Sequence, residues 1–413
     1  MNDRLQLFCA KVRTDPALQE QLCGPDDVDE FIALFVDTAQ GYGICLDGGA
    51  VRAAMQRRVP GLHGLVNPMA ETPLPPKGWL PIDANWENGR LYLDWSCFGA
   101  KRLLEPFFQG DVRRCLYKPF NRLIRYSTSI DRLGDWLKLH PGLQPSGFIF
   151  HMSRCGSTLV SQMLAAVKRN IVISEASPID LVVRAAHVRP DLSADQHAMW
   201  LRWIIGAFGQ PRTETENQFF VKLDCWHTLA LPLFRKAFPD VPFIFLYRDP
   251  TEVLVSQLRM PGIQMIPRAV DNSLVELPRD GMPPRETYSA QVLARICQPV
   301  LEHCSDQIAL VNYRALPEAL WTIIMPHFGL ECSESERADM LKVARWNAKT
   351  PNFEFTADSE TKQQEASANV KTAANEYLEP IYRRIEALRD QQSLVRLQAR
   401  TPERCPFSQS TSA

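Results

Sequence analysis

Phe148-Ile149-Phe150-His151-Met152-Ser153-Arg154-Cys155-Gly156-Ser157-Thr158-Leu159-Val160 reads as a buried strand, a short turn holding one glycine, and the start of a helix. The helix carries apolar side chains at Leu159, Val160, Met163, Leu164 and Val167, the spacing of one buried face. A turn of this kind aims the backbone N–H groups from Cys155 to Thr158 at one point, and the helix dipole adds positive potential there. A phosphate is the natural occupant. The hydroxyls of Ser157 and Thr158 can donate further bonds, and Arg154 can reach the anion as a permanent cation. Read alone, the segment also fits a helix merely capped by Ser153 or Ser157. No Gly-x-x-x-x-Gly-Lys-Ser/Thr occurs in the chain. The usual cradle for a triphosphate and magnesium is therefore missing, and a single 5′-phosphate fits better.

Outward from this stretch, short apolar runs at 171–173, 219–223, 243–247 and 308–311 also read as buried strands, with helical-period segments between them. That alternation predicts an α/β fold over residues 146–400: a P-loop-type, mostly parallel sheet flanked by helices. Tyr377, Leu378, Ile381, Ile385 and Leu388 mark a long amphipathic helix near the end.

A second chemical signal lies at 238–256, where the strand ending in Tyr247 runs into Arg248, then Asp249-Pro250, then a helix. Arg248 thus sits at the carboxyl end of a strand, where open α/β sheets bind ligands. Ser256 follows about two helical turns later and can present its hydroxyl to the same anion. By itself, Arg-Asp-Pro is more often a salt-bridged turn.

Residues 1–58 read as a small all-α domain. Leu5, Phe8 and Val12 form one face, and Leu18 and Leu22 another after the break at Asp15-Pro16. Val28, Phe31, Ile32, Phe35 and Ala39 form a third helix, capped by Asp26 or Asp27 and stopped at Gly41. The prolines at 60, 68, 73, 75 and 76 suggest an extended linker over 59–78. In the lead-in at 79–145, Asn88-Gly89 predicts a tight hairpin. The apolar cluster from Leu103 to Phe108 suits either core or the wall of a pocket. The last residues, 401–413, read as a disordered tail.

Forty-six Lys+Arg against 47 Asp+Glu leave a net charge of −1, which argues against a broad nucleic-acid-binding surface. No apolar run is long enough for a membrane span, and the start has no secretory pattern, so a cytoplasmic protein is expected. The 11 cysteines and eight histidines are scattered without metal-ligand spacing, so no metal is expected.

Taken in order, the two anion motifs resemble those of sulfotransferases that use 3′-phosphoadenosine 5′-phosphosulfate (PAPS), of the bacterial and tyrosylprotein-like branch. Arg154-Cys155-Gly156-Ser157-Thr158-Leu159 is similar to that family's 5′-phosphosulfate loop, and 238–256 to its 3′-phosphate motif, with Arg248 and Ser256 at the family's spacing. Phe220-Val221-Lys222 resembles the lysine strand, His227 falls where many bacterial members carry a histidine, and 311–316 resembles a later strand ending. Arg154 stands where small-molecule members carry lysine. It can stabilise a leaving phosphate but cannot give up a proton at neutral pH. Residues 1–58 separately resemble the Nif-eleven-like leader domain that precedes modified bacterial peptides, through Phe8, Asp15-Pro16-Ala17-Leu18, Leu22, Phe31 and Gly41-Tyr42.

The resemblance implies sulfuryl transfer from PAPS to a hydroxyl-bearing acceptor, a peptide or a small molecule, releasing 3′-phosphoadenosine 5′-phosphate. Arg154, the loop amides, Ser157 and Thr158 would hold the 5′-phosphosulfate, and Arg248 and Ser256 the 3′-phosphate. Lys222 is a candidate second cation beside the sulfuryl group. Glu175, 21 residues after Arg154 and just past a strand, is the expected base, with His227 and His151 as alternatives. His151 lies inside a strand and suits a satisfied core histidine better. Two other readings fit the same motifs: a binding module that docks peptides through residues 1–58, and an atypical P-loop phosphotransferase. The stretch from Arg259 to Pro284 is expected to shape the acceptor pocket. Residues 1–58 are expected to be dispensable for nucleotide binding.

Overall fold

The computed structural model describes residues 3–56, 72–270, 281–347, 350–354 and 358–400. Residues 59–71 of the proline-rich linker, 271–280 of the 259–284 loop and the 401–413 tail lie outside the described residues.

Five parallel strands form the main sheet: β4 (Gly147–His151), β5 (Asn170–Ser174), β6 (Gln218–Lys222), β7 (Phe243–Tyr247) and β8 (Ile308–Asn312), in the spatial order β5-β6-β4-β7-β8. All five are buried along almost their whole length, as a sheet covered by helices on both faces requires. Phe148 shows the packing. Its ring meets Phe234, Phe238 and Phe243 with centroids 5.4, 5.1 and 5.3 Å away. The predicted C-terminal amphipathic helix is Glu379–Arg400, preceded by a π-turn at Ala374–Leu378. Gln392 on it accepts from Leu310 N at 3.2 Å and donates to Ile308 O at 2.7 Å, which closes the open edge of β8.

A second, antiparallel sheet is built from β1 (Trp79–Glu87), β2 (Arg90–Cys97) and β3 (Tyr126–Ser129). Asn88 and Gly89 form its hairpin turn with φ of +49° and +74°, the left-handed pair that a two-residue loop demands. This sheet leans on the α/β unit. Trp86 meets Trp200, Phe108 packs edge-on to Phe208, and Gly78 N donates to Gln210 at 2.8 Å.

Four helices precede it: α1 (Asp3–Thr14), α2 (Pro16–Leu22), α3 (Val28–Gly41) and α4 (Gly48–Gln56). Asp15 caps α2, Asp27 caps α3, and Asp47 accepts from Ala50 N at 2.8 Å at the start of α4. They do not stand apart from the rest. Gln19 donates to the Tyr126 hydroxyl at 2.8 Å and accepts from the Trp79 indole at 3.1 Å, while that hydroxyl donates to Arg13 O. From Thr72 onward the proline-rich stretch is docked too: Thr72 N donates to Ser127 O at 2.9 Å, and Trp136 donates to Pro75 O at 2.6 Å. Among the described residues, no helix is long and apolar enough to cross a membrane.

Gln19 is the polar joint between α2 and the antiparallel sheet. Gln19→Ala leaves the fully buried Trp79 indole without an acceptor and is expected to destabilise the chain by about 1–3 kcal/mol. Urea denaturation at pH 7 reads this, and an unchanged midpoint would show that the joint is idle.

Candidate functional site

At the carboxyl edge of the sheet, β4 leads away to β5 on one side and β7 to β8 on the other. The crevice between β4 and β7 is thus the topological switch point, where open α/β sheets hold ligands. A cavity of about 570 Å³ opens there, lined by Arg154 through Leu159, Glu175, Arg248 and Ser256 among others.

The loop after β4 is conformationally unusual. Ser153, Arg154 and Gly156 have φ of +81°, +52° and +87°. Gly156 is the N-cap of the helix Ser157–Ala166, and no side chain caps that helix. The sequence left open a cap by Ser153 or Ser157; instead the first N–H groups of the helix remain for an anion. Ser153 accepts from Gln257 at 2.9 Å and Gln264 at 3.1 Å, so two amides pin its hydroxyl away from the helix start. The Arg154 guanidinium donates to Met260 O, and Cys155 Sγ donates to Leu246 O at 3.1 Å, tying the loop to β7.

The second corner is built around Arg248. Its Nε donates to Glu252 at 2.5 Å, and its guanidinium lies over the Tyr313 ring, 3.9 Å from the centroid. Asp249 caps the helix Pro250–Arg259 by accepting from Glu252 N, and Ser256 lines the cavity from that helix while donating to Glu252 O at 2.9 Å. Asp358 and Lys362, from far along the chain, close this corner.

Carboxylates and apolar rings make the third wall. Glu175 has φ of +52°, and its N–H donates to Lys222 O at 2.9 Å. Lys222 Nζ donates to Glu175 Oε1, with His151 Nε2 3.5 Å away. Burial pushes the Glu175 carboxyl up, but Lys222 and His151 outweigh it and hold the group well below the usual carboxylate range. Asp224, just past β6, behaves oppositely. Burial, then the charges of Glu175 and Asp180, push its carboxyl well above the usual range. Phe107, Trp226 and Met260 complete this side. The Leu103–Phe108 cluster therefore divides: Leu103 and Phe108 are core, and Phe107 is pocket wall.

The structure thus gathers Arg154, Cys155, Gly156, Ser157, Thr158, Leu159, Glu175, Arg248 and Ser256 around one cavity. Two expected residues lie elsewhere. Lys222 is one: its side chain is 0% exposed and does not line the cavity, its Nζ lying against two residues that do, Glu175 and the Phe107 ring, because a buried ammonium must sit on its counter-charge. His227 is the other. It is buried outside the lining, with Nε2 3.0 Å from Asp180 Oδ1. His151 does line the cavity, but its Nδ1 accepts from Ser153 N at 3.1 Å and its Nε2 faces Leu223 O at 2.9 Å. Both ring nitrogens are committed, and burial lowers its pKa, so it is a satisfied histidine and not a base facing the cavity. Asp180, Asp224 and His227 have ligand atoms within 4.8 Å of one another, a set with metal-binding chemistry. Asp180 is already saturated, however, by Trp226 at 2.7 Å and a two-pronged contact from Arg184. Sequence reasoning missed Asp224, which its place at a strand's carboxyl end could have flagged. It also missed Asp358 and Lys362, for which no local signal exists.

No family model matches the sequence, and no curated protein matches it. Among solved structures, the chain is similar at low identity to sulfotransferases. A sulfotransferase from Mycobacterium avium has 14% identity, with 60% of this chain and 81% of that one covered and a TM-score of 0.33. A sulfotransferase domain from the curacin biosynthetic pathway has 15%, 56%, 97% and 0.37 in the same order. The sulfotransferase domain of the Synechococcus olefin synthase has 18%, 60%, 96% and 0.35. Likenesses this distant leave the roles of individual residues to the chemistry of the site, and none supports a leader-like reading of residues 1–58.

The Glu175–Lys222 pair gives a stability prediction. Glu175→Gln strands a buried ammonium and is expected to cost about 3–5 kcal/mol at pH 7. Because the folded pKa of Glu175 is depressed, the pair's contribution is present above the ordinary value near 4.5 and fades as pH falls through the lower folded value. The gap between wild type and variant should narrow accordingly in acid, and Glu175→Gln with Lys222→Met should recover most of the loss. Equal unfolding curves for wild type and Glu175→Gln would contradict the pairing.

Proposed function

We propose that this chain is a PAPS-dependent sulfotransferase acting on a hydroxyl-bearing acceptor. One observation carries the reading: two separate cationic corners, Arg154 with an uncapped helix start and Arg248 with Ser256, share one cavity at the switch point of a parallel sheet. A nucleotide with a phosphate at each end of its ribose suits two corners. A triphosphate suits one corner with a lysine and a metal, and the loop has no such lysine.

When bound, PAPS supplies a sulfuryl group already activated on a phosphate leaving group. The work left to the chain is positioning, charge compensation and proton removal. Arg154 and the amides of Ser157, Thr158 and Leu159 hold the 5′ end and offset the negative charge that grows there. Arg248 and Ser256 hold the 3′-phosphate. Phe107, Trp226 and Met260 keep water from the reacting oxygen. The proton of the acceptor hydroxyl goes to Asp224. Glu175 shares that wall, but its Lys222 and His151 partners make it a weak base, and it serves instead to anchor Lys222 and compensate its charge. Burial and the neighbouring carboxylates raise Asp224 above the usual carboxylate range, which makes it the stronger proton acceptor of the two.

Two measurements test this. At a hundredfold excess over its dissociation constant, 3′-phosphoadenosine 5′-phosphate should stabilise the protein by roughly 2.7 kcal/mol, with much less protection by ATP and magnesium at the same concentration. Equal or better protection by ATP would point to phosphoryl chemistry. With an accepted acceptor in hand, turnover should rise with pH along a limb above the ordinary carboxylate range. Asp224→Asn should remove that limb and lower turnover by about 10²–10⁴-fold without changing nucleotide affinity. A limb that survives in Asp224→Asn would move the base elsewhere.

A further inference from the structure

Arg248, the anchor assigned to the 3′-phosphate, already holds an internal anion. Its Nη2 donates to Asp358 Oδ1 at 2.9 Å and to Ser359 Oγ at 3.2 Å. The other oxygen of Asp358 faces Lys362 Nζ at 2.7 Å. Asp358 thus spans two cations with its two oxygens, 110 positions along the chain from Arg248, and both Asp358 and Lys362 line the cavity. Glu252 holds the other side of the guanidinium through Nε.

We propose that Asp358 is a built-in stand-in for the nucleotide's 3′-phosphate, and that the phosphate displaces it, taking over Arg248 Nη2 and Lys362 Nζ. Asp358 and Lys362 then set the preference for a nucleotide carrying that second phosphate. The inference rests on the reading of the cavity as a nucleotide site.

Burial decides which member of the triad moves. The side chains of Arg248 and Lys362 are 5% and 7% exposed, while Asp358 is 40% exposed. The cations are held in place; the carboxylate alone has solvent to rotate into. Glu252, 3% exposed, stays and keeps the guanidinium aimed. The supporting helix Ser359–Glu365 need not leave. Gln363 donates to Asp249 at 2.9 Å and Arg259 pairs with Glu365, so it remains stapled to the helix Pro250–Arg259 while one side chain turns. Electrostatics demand the exchange. A phosphate dianion placed between Arg248 and Lys362 with Asp358 still there would set like charges in contact inside a partly buried corner. A nucleotide without the 3′-phosphate meets no such conflict, gains no such partners, and leaves Asp358 where it is.

The test is calorimetric titration of the full chain with 3′-phosphoadenosine 5′-phosphate and, in parallel, adenosine 5′-monophosphate. Asp358→Asn removes the competing charge and should tighten the bisphosphate by about tenfold, the scale of one charge-assisted bond, with the monophosphate unchanged. Lys362→Met should weaken the bisphosphate by about the same factor and spare the monophosphate. Asp358→Ser supplies the same reading if the asparagine variant does not fold. Unchanged or weaker bisphosphate binding in folded Asp358 variants overturns the exchange, as does a parallel change in both ligands. If wild type and variants alike bind neither nucleotide, the nucleotide reading itself fails. If wild type binds the bisphosphate tightly and the variants match it, only the exchange fails.

Discussion

The site depends on Gly156. A Cβ there would lie 2.7 Å from Leu316 Cδ1 and 2.9 Å from the Tyr313 ring, and φ of +87° excludes most side chains regardless of space. The absence of a side chain lets the loop after β4 turn tightly enough to leave the helix N–H groups facing the cavity. The same Tyr313 ring lies beneath the Arg248 guanidinium. One close approach therefore sets the loop at the first corner and, through the tyrosine, the cation at the second. The spacing between the two corners is a packing distance, held by side chains in contact.

Around that contact, the charges follow the cost of burial. A fully buried ion is tolerated only beside its counter-ion, and Lys222 with Glu175, Arg248 with Glu252, and Arg212 with Glu216 obey this. The cavity wall is different. There Glu175 and Arg248, each half of such a pair, line the cavity together with Asp224 and Asp358. Some ions thus stay wholly buried in their pairs, and others reach the cavity surface. Lys222 belongs to the first class although its residue type suggested the second.

The N-terminal helices join this framework and do not hang from it. Gln19 satisfies both Tyr126 and Trp79 at the face of the antiparallel sheet, and Trp86 of that sheet and Phe108 of the helix Phe108–Tyr117 pack against the α/β unit. The buried apolar side chains form a single cluster running from Leu5 to Ile385. Residues 3–56 therefore contribute to the stability of the sheet whose connection between β2 and β3 carries Phe107, a wall of the cavity.

Local sequence determined what is local in cause. Apolar runs bounded by turns marked all five parallel strands to within a residue or two, Asn88-Gly89 marked the hairpin, and Gly156 before an amphipathic helix marked the tight turn after β4. Each of these is a short-range pattern of burial or backbone freedom, and such patterns are written in consecutive residues. Strand order is not, since parallel neighbours are joined through crossovers. That β4 and β7 lie side by side, bringing Arg154 and Arg248 to one crevice, was decided by tertiary packing. So was the sorting of the titratable groups. Glu175 and Asp224 both follow the carboxyl ends of strands, and Lys222 and His151 beside the first pull its carboxyl down while burial pushes the second up. Asp358 reaches Arg248 across 110 positions of chain, a contact no local pattern encodes, because it follows from where two distant helices pack.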